Sequence, residues 1–280
     1  MSAPTAAQAM AAAASRLRAA GVPDPARDAR ILLAHAASVD AARVTLIAPE
    51  EIAPEIAERF EHLIALRVVR VPVSHLIGSR AFYGRDFKIS RDVLDPRPET
   101  ETLIELALME PFERVLDLGT GSGCILVTLL AEQQDARGLG VDVSEAACLQ
   151  ASANAVAHGV QDRAEIGQSD WFEAVEGRFD LIVSNPPYLG LGEMADIAPE
   201  LALHEPAIAL TDGADGLSAY RIIAEQAHGY LTAKGRVMVE IGWQQGSEVS
   251  DIFSAAGWGR VTLAHDLDGR ARVVCADRPA

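Results

Sequence analysis

The sequence predicts an α/β protein: a doubly wound, mostly parallel sheet closed by an antiparallel hairpin and preceded by a small helical bundle. Three observations predict it. From residue 113 onward, apolar runs of strand length alternate with helical stretches of about 10–15 residues, the arrangement of a parallel sheet covered on both faces. Two last strands, near 259–265 and 270–276, are joined by Asp268 and Gly269, a hairpin turn signal. Residues 5–70, by contrast, read as helices separated by prolines.

Taken in order, the Ala-rich start reads as a helix. Arg16 and Arg18 follow its apolar run, the reverse of a secretory signal. Pro23 and Pro25 flank Asp24, an N-cap position, ahead of a helix with Ala29, Leu32, Leu33 and Ala36 on one face. After Pro49 and Pro54, Ile56, Phe60, Leu63, Ile64 and Arg67 recur at helical spacing, so the module is a bundle with exposed arginines. From Pro72 the segment HLIGSRAFYGRDFKIS alternates around Gly78 and Gly84 and predicts short strands or a hairpin. A helix follows, with Thr100 as its cap and Glu99 and Glu101 in its first turn. RVLDL, GLGVDV, AEIGQ, FDLIVSN and GRVMVEIG are the strands of the sheet. CILVTLLAE, SEAACLQASANAVAHG and GLSAYRIIAEQAHGYL are its helices.

Charge separates the two parts. The net charge is −16, yet residues 1–80 hold nine Arg against eight acidic residues, leaving 15 basic and 32 acidic residues in 81–280. A net −17 over the sheet region argues against gripping a phosphate backbone. Cys124, Cys148 and Cys275 are an odd, widely spaced trio that forms neither a disulfide framework nor a zinc site; a reducing cytoplasm and no metal are expected. No stretch reaches the roughly 18 apolar residues of a membrane span.

Two segments carry chemistry. Gly119-Thr120-Gly121-Ser122-Gly123 lies between a strand and a helix start, where free amides favour electronegative groups. Asp142 ends the next strand about 20 residues on, placed to accept ribose hydroxyls. These features indicate a nucleoside cofactor. Asp117 just before the glycines, where a carboxylate reaches an amino-acid ammonium, and the G-x-G-x-G spacing favour S-adenosylmethionine over a dinucleotide. The second segment is Asn185-Pro186-Pro187-Tyr188, after the fourth strand of the sheet. The prolines stiffen the backbone, and the Asn185 amide oxygen with the Pro186 carbonyl forms a pair of acceptors for a planar NH2 group. Such a nitrogen is a poor nucleophile because its lone pair is delocalised, and accepting its protons returns density to it.

Asn-Pro-Pro-Tyr resembles the motif of methyltransferases that modify amide or exocyclic amino nitrogens. The wider chain resembles one of them, the release factor glutamine N5-methyltransferase family. The resemblance covers the helical N-terminal module, the hairpin with Gly78 and Phe82, and Pro96-Arg97-Pro98-Glu99-Thr100-Glu101. It continues through VLDLGTGSGCI, Asp170-Trp171-Phe172 and the Asn185 motif to Glu205-Pro206, Asp215-Gly216-Leu217, Tyr220-Arg221-Ile222-Ile223 and Glu240-Ile241-Gly242-Trp243-Gln244-Gln245. Asp95 departs from it, standing where many relatives have an apolar residue.

The resemblance implies an S-adenosylmethionine-dependent Rossmann-like domain at 93–280, a hairpin linker at 71–92 and a helical substrate-recognition domain at 1–70. It implies Gly119 to Gly123 around the methionine part of the cofactor, Asp142 on its ribose and Trp171 beside its adenine; Trp171 reads equally as a core anchor. Asn185 would touch both cofactor and substrate, Pro186 would supply its carbonyl, and Pro187 and Tyr188 would pack against the target. The implied partners are peptide chain release factors, methylated on the Gln of Gly-Gly-Gln, with S-adenosylhomocysteine as the other product and no direct contact with nucleic acid or membrane. Arg97 and Glu99 are explained almost as well by a solvated turn. The alternatives are an amino-group methyltransferase of DNA or RNA bases, a dinucleotide-dependent oxidoreductase and a noncatalytic cofactor-binding adaptor.

Overall fold

The computed structural model describes residues 4–279, so residues 1–3 of the expected helical domain lie outside it. The chain divides into two compact units. The first runs to Ser79 and takes in Ala198–His204; the second comprises Arg80–Ile197 and everything from Glu205 onward.

In the first unit, α1 (Ala6–Ala19) opens on a Thr5–Gln8 capping box, followed by α2 (Pro25–Ala37), α3 (Val44–Ile47), α4 (Pro54–Val68) and α5 (Val73–Ile77). Their core is small and mostly aliphatic, with Leu17, Leu32, Leu33 and Ile64 buried around one aromatic ring, Phe60. Asp24 occupies the N-cap of α2 without a side-chain cap bond. Strands were expected from His75, but residues 75–77 finish α5, which stops at Gly78 in the left-handed conformation.

The second unit begins with a hairpin, β1 (Ser79–Phe82) and β2 (Arg85–Lys88), turning at Tyr83–Gly84. There follow α6 (Glu101–Leu108), β3 (Arg114–Leu118), α7 (Cys124–Glu132), β4 (Arg137–Asp142), α8 (Glu145–Ala157), β5 (Ala164–Gln168) and β6 (Phe179–Ser184). After α9 (Pro199–His204) come α10 (Ser218–Gln226), β7 (Leu231–Glu240), α11 (Gly246–Ala255), β8 (Val261–His265) and β9 (Ala271–Asp277). α11 has no counterpart among the expected elements, although its buried Val249 and Phe253 stand at i, i+4 helical spacing.

Seven strands form one sheet in the order β5-β4-β3-β6-β7-β9-β8. The first five are parallel, and β9 runs antiparallel to both β7 and β8. Alternation along the strands feeds two cores. Val115, Leu181, Val183 and Met238 face α6, α7 and the hairpin residues Phe82 and Phe87. Leu116, Leu118, Ile182, Val237 and Val239 face Tyr220, Phe253 and Trp258 on the other side.

α9 belongs to the first unit, where its Glu200 is clamped by Arg67 at 2.9 Å and Arg70 at 2.6 Å. Arg67 also donates to Asp28 at 2.8 Å. The bundle's arginines were expected to be exposed. Arg67 is buried, and its charge is tolerated because two carboxylates flank it. No helix among the described residues is long and apolar enough to cross a membrane.

Candidate active site

The order of the sheet reverses at β3, which has β4 on one side and β6 on the other. Chain crossovers leave in opposite directions there and open a crevice beyond the strands' carboxyl ends. The Ser184 hydroxyl donates to the Leu118 carbonyl at 2.8 Å and ties the two strand ends together. A cavity of about 450 Å³ lies over them, walled by the glycine turn, the end of β4, the loop after β5, the Asn185 segment and residues 206–212.

The glycine turn is shaped by its backbone. Gly119, Gly121 and Gly123 have φ of 69°, 54° and 78°, all left-handed. The amides of Gly119 and Thr120 both donate to the Val141 carbonyl at 2.9 Å. The Gly121 amide donates to Asp142 Oδ2 and the Ser144 amide to Oδ1, each at 2.9 Å. Asp142 is thereby locked at the cavity wall, and each carboxylate oxygen keeps lone-pair capacity for a hydroxyl. Gly119, Thr120, Gly121 and Ser122 line the cavity; Gly123 does not. It is the N-cap of α7, and a Cβ there would stand 3.0 Å from the Ala151 Cβ, so the glycine lets α8 approach.

Asp117 sits beneath this turn, fully buried. Its Oδ2 accepts the Thr120 hydroxyl at 2.7 Å, and its Oδ1 has no partner. Burial pushes its carboxyl up to about 7, against the pull of the Thr120 bond and with a further rise from Asp142. Asp117 is not itself among the residues that line the cavity, although the Thr120 it bonds is.

Trp171 packs against the second core, as its reading as a core anchor has it, and it also lines the cavity. Its backbone is left-handed, φ 48°, held by the Ser169 hydroxyl, which donates to the Trp171 carbonyl at 3.0 Å. Strain of this kind in a bulky residue is sustained where a side chain has to be aimed.

In the Asn185 segment, Asn185 and Pro187 line the cavity, Pro186 is buried, and Tyr188 lies outside the wall. Asn185 Nδ2 donates to the Thr100 hydroxyl oxygen at 3.3 Å, which leaves Oδ1 as the amide's acceptor for an incoming N–H. The Tyr188 carbonyl accepts from Gln245 Nε2 at 2.9 Å, and the same Gln245 amide reaches the Gly216 carbonyl at 3.3 Å. Burial, then Glu240, pushes the Tyr188 hydroxyl up to about 12, so it stays neutral.

Several residues at the site carried no role in substrate or cofactor binding in the sequence. Thr100 occupies the N-cap of α6 without capping it, and its hydroxyl oxygen instead accepts from Asn185 Nδ2. Glu240, at the end of β7, is buried with Oε2 unpartnered, and burial raises it to about 7 against the Thr100 bond. Arg97 lines the cavity and holds both oxygens of the buried Glu205, at 2.7 and 2.8 Å. All of these lie in runs that the resemblance singled out, so the signal was present, but partners 85 and 108 positions apart left no local trace. Among the described residues no group of three His, Cys, Asp or Glu could hold a metal ion.

Two family models match: PrmC N-terminal domain over residues 8–78 and Methyltransferase small domain over residues 89–215. Among curated proteins, a Release factor glutamine methyltransferase of Cereibacter sphaeroides is 55% identical, with 98% of this chain and 99% of that protein aligned. One of Rhodospirillum rubrum is 44% identical over 95% of this chain and 82% of its own length. A third, of Agrobacterium fabrum, is 40% identical over 94% of each. Among solved structures, the catalytic domain of hMettl16 in complex with an RNA hairpin has a TM-score of 0.60 at 15% identity, covering 78% of this chain and 82% of that one. A methyltransferase from Pyrococcus furiosus has 0.55 at 17%, covering 71% and 92%. At these identities the structural likeness shows the fold alone.

Proposed function

The chain belongs to the release factor glutamine methyltransferase family, and on that premise we propose that it methylates the side-chain amide nitrogen N5 of the glutamine in the Gly-Gly-Gln motif of peptide chain release factors. Its full-length relatives are named for a protein substrate, which disfavours the reading of a base methyltransferase. The observation that carries the proposal is Asn185 at the carboxyl end of β6, anchored through Nδ2 with Oδ1 free, beside a glycine turn backed by an acceptor without a donor.

S-adenosylmethionine is the cofactor these residues fit, and when bound it supplies an electrophilic methyl group. Asp142 would hold its ribose, Trp171 would stack on its adenine, and the turn from Gly119 to Ser122 would enclose the methionine part above Asp117. Gly123 acts on the turn through the packing of α7. Asn185 Oδ1 and the Pro186 carbonyl accept the two N–H bonds of the glutamine amide, which orients its nitrogen and returns electron density to it. Pro187 and Tyr188 shape the slot. Positioning of this kind is worth about 7–11 kcal/mol in favourable cases and a preorganised acceptor about 3. Residues 1–70 would recognise the release factor, residues 71–92 would link, and residues 93–280 would carry the chemistry.

The test offers purified release factor with Gly-Gly-Gln intact or changed to Gly-Gly-Ala. A mass gain of one methyl group on the first and none on the second is expected; equal gain on both would refute the glutamine assignment.

Asp117 gives a pH prediction. Its folded carboxyl titrates near 7 instead of near 4, so proton uptake favours the ligand-free fold as pH falls through that window. A cofactor ammonium needs the ionised form, so affinity for S-adenosylmethionine should fall about tenfold between pH 8 and pH 6. In Asp117→Asn calorimetry should find weak binding with no such slope. An unchanged slope in the variant would assign the titration to another group.

A further inference from the structure

The charges that wall the cavity suit a cation, with one exception. Asp92, Asp142, Asp170 and Asp212 all line it, and among the described residues Arg97 is the only Lys or Arg that does. Glu205 holds this guanidinium in place. Both Glu205 oxygens accept from Nη2, at 2.7 and 2.8 Å, and the Glu205 side chain is 1% exposed against 27% for Arg97. An arginine only donates, so the direction of these bonds does not depend on the protonation of Glu205. The pair engages one nitrogen of the planar fork. Nε and Nη1 have no hydrogen-bond partner among the described residues, which leaves their hydrogens unengaged on a side chain that lines the cavity.

The chain places this fork at the transfer end of the cavity. Arg97 precedes the single 3₁₀ turn Pro98–Thr100, and the Thr100 amide donates to the Arg97 carbonyl at 3.1 Å. The Thr100 hydroxyl oxygen in turn accepts from Asn185 Nδ2. The Arg97 charge also reaches the Tyr188 hydroxyl and the Glu240 carboxyl, opposing the upward push of burial on both. Two groups meet at that end in the function proposed above: the amide of a glutamine flanked by glycines, and the methionine part of S-adenosylmethionine. The amide and the glycines are neutral, and the sulfonium and ammonium are cations. The α-carboxylate is the one anion.

A carboxylate brought into a cavity already walled by four others is costly unless a cationic donor meets it. A guanidinium supplies the charge and matches the two oxygens in one plane. We infer that Arg97 binds the α-carboxylate of S-adenosylmethionine, with Glu205 holding its guanidinium for that task. The inference rests on the reading of S-adenosylmethionine as the cofactor. Methyl transfer leaves the carboxylate unchanged, so Arg97 holds the cofactor before and after transfer alike, and its removal falls on binding rather than on kcat.

The experiment measures by calorimetry the Kd of S-adenosylmethionine and of decarboxylated S-adenosylmethionine, which keeps the sulfonium and the ammonium and lacks only the carboxylate. Wild type should prefer the carboxylated ligand about tenfold or more, and Arg97→Met should bind the two within a few fold of each other. Arg97→Lys keeps a charge without the fork and should retain part of the preference. Arg97→Met leaves Glu205 buried without its partner, so Arg97→Met/Glu205→Gln removes that charge too and should show the same loss of preference. Methylation of release factor at saturating cofactor should stay within a few fold of wild type in both. Equal weakening of the two ligands in Arg97→Met would mark a structural role and overturn the inference. So would a preference that survives Arg97→Met while KM for release factor rises, which would assign the guanidinium to the main chain of the substrate. A wild-type chain that binds neither ligand would overturn the cofactor reading as well. One that binds both with the expected preference and methylates no release factor would overturn the proposed function alone.

Discussion

Asn185→Ala should lower kcat for glutamine methylation by about 10²–10³-fold, the range measured when one preorganised hydrogen-bonding group is removed from a reacting centre. Cofactor affinity should change only modestly, because the Asp117 oxygen, both Asp142 oxygens and Trp171 stay in place. The loss falls on kcat because the amide oxygen acts on the nitrogen as it attacks, not on the rest of the release factor. Asn185→Asp is the informative companion. It keeps an acceptor of the same size but replaces the Nδ2 donor to Thr100 with a second carboxylate oxygen, so a rate between those of the alanine variant and the wild type is expected. Single-turnover methylation with radiolabelled cofactor measures both. Turnover within a few fold of wild type in Asn185→Ala would remove Asn185 from the chemistry.

Gly216→Ala should be nearly as damaging from a position that touches neither substrate nor cofactor. Gly216 has φ 76°, and a Cβ built on it would stand 2.3 Å from the Tyr188 carbonyl oxygen and 2.9 Å from the Gly190 nitrogen, both backbone atoms. Relief requires Tyr188 to move, which breaks the Gln245 bond to its carbonyl and displaces the end of the Asn185 segment. Gly213 supplies the control. It lies in the same loop at φ 73° with nothing within 4 Å of an added Cβ, so Gly213→Ala carries only the left-handed backbone cost of about 1–2 kcal/mol. Thermal unfolding should show Gly216→Ala several degrees below Gly213→Ala. Its kcat should fall about tenfold or more, while Gly213→Ala stays near wild type. Equal rates in the two variants would show that the Asn185 segment does not depend on this approach.

Much of the site was legible because its signals are local. A glycine at φ near 70° and a helix start leave a short, dense signature, as do two consecutive prolines after an apolar strand. Alternation of strand and helix carried the sheet, since burial on two faces imposes continuous apolar runs on β3 and β6. The failures are local as well. α5 spans only five residues, too few for a helical period to stand out, and α11 spaces Val249, Ile252 and Phe253 as a helix does but within one short segment between stronger strand patterns. Thr100 is a good capping residue by type, yet its hydroxyl has a stronger claim elsewhere.

The sequence by itself determined the sheet, the glycine turn, the placement of Asn185 and, through the full set of motifs, the family. Each motif follows from backbone preference or from residue order within about a dozen positions, and the family from their sum along the chain. The tertiary structure alone decided the partners of buried polar groups: Asn185 with Thr100, Arg97 with Glu205, and Glu200 with Arg67 and Arg70. It also decided that Gly123 serves packing and that Asp117 is left with an oxygen awaiting a donor. The physical reason is that a hydrogen bond between distant positions has no period. A lone polar residue in an apolar strand looks the same in sequence whether it is solvated, paired or poised for a ligand, and only the register of packed elements tells these apart.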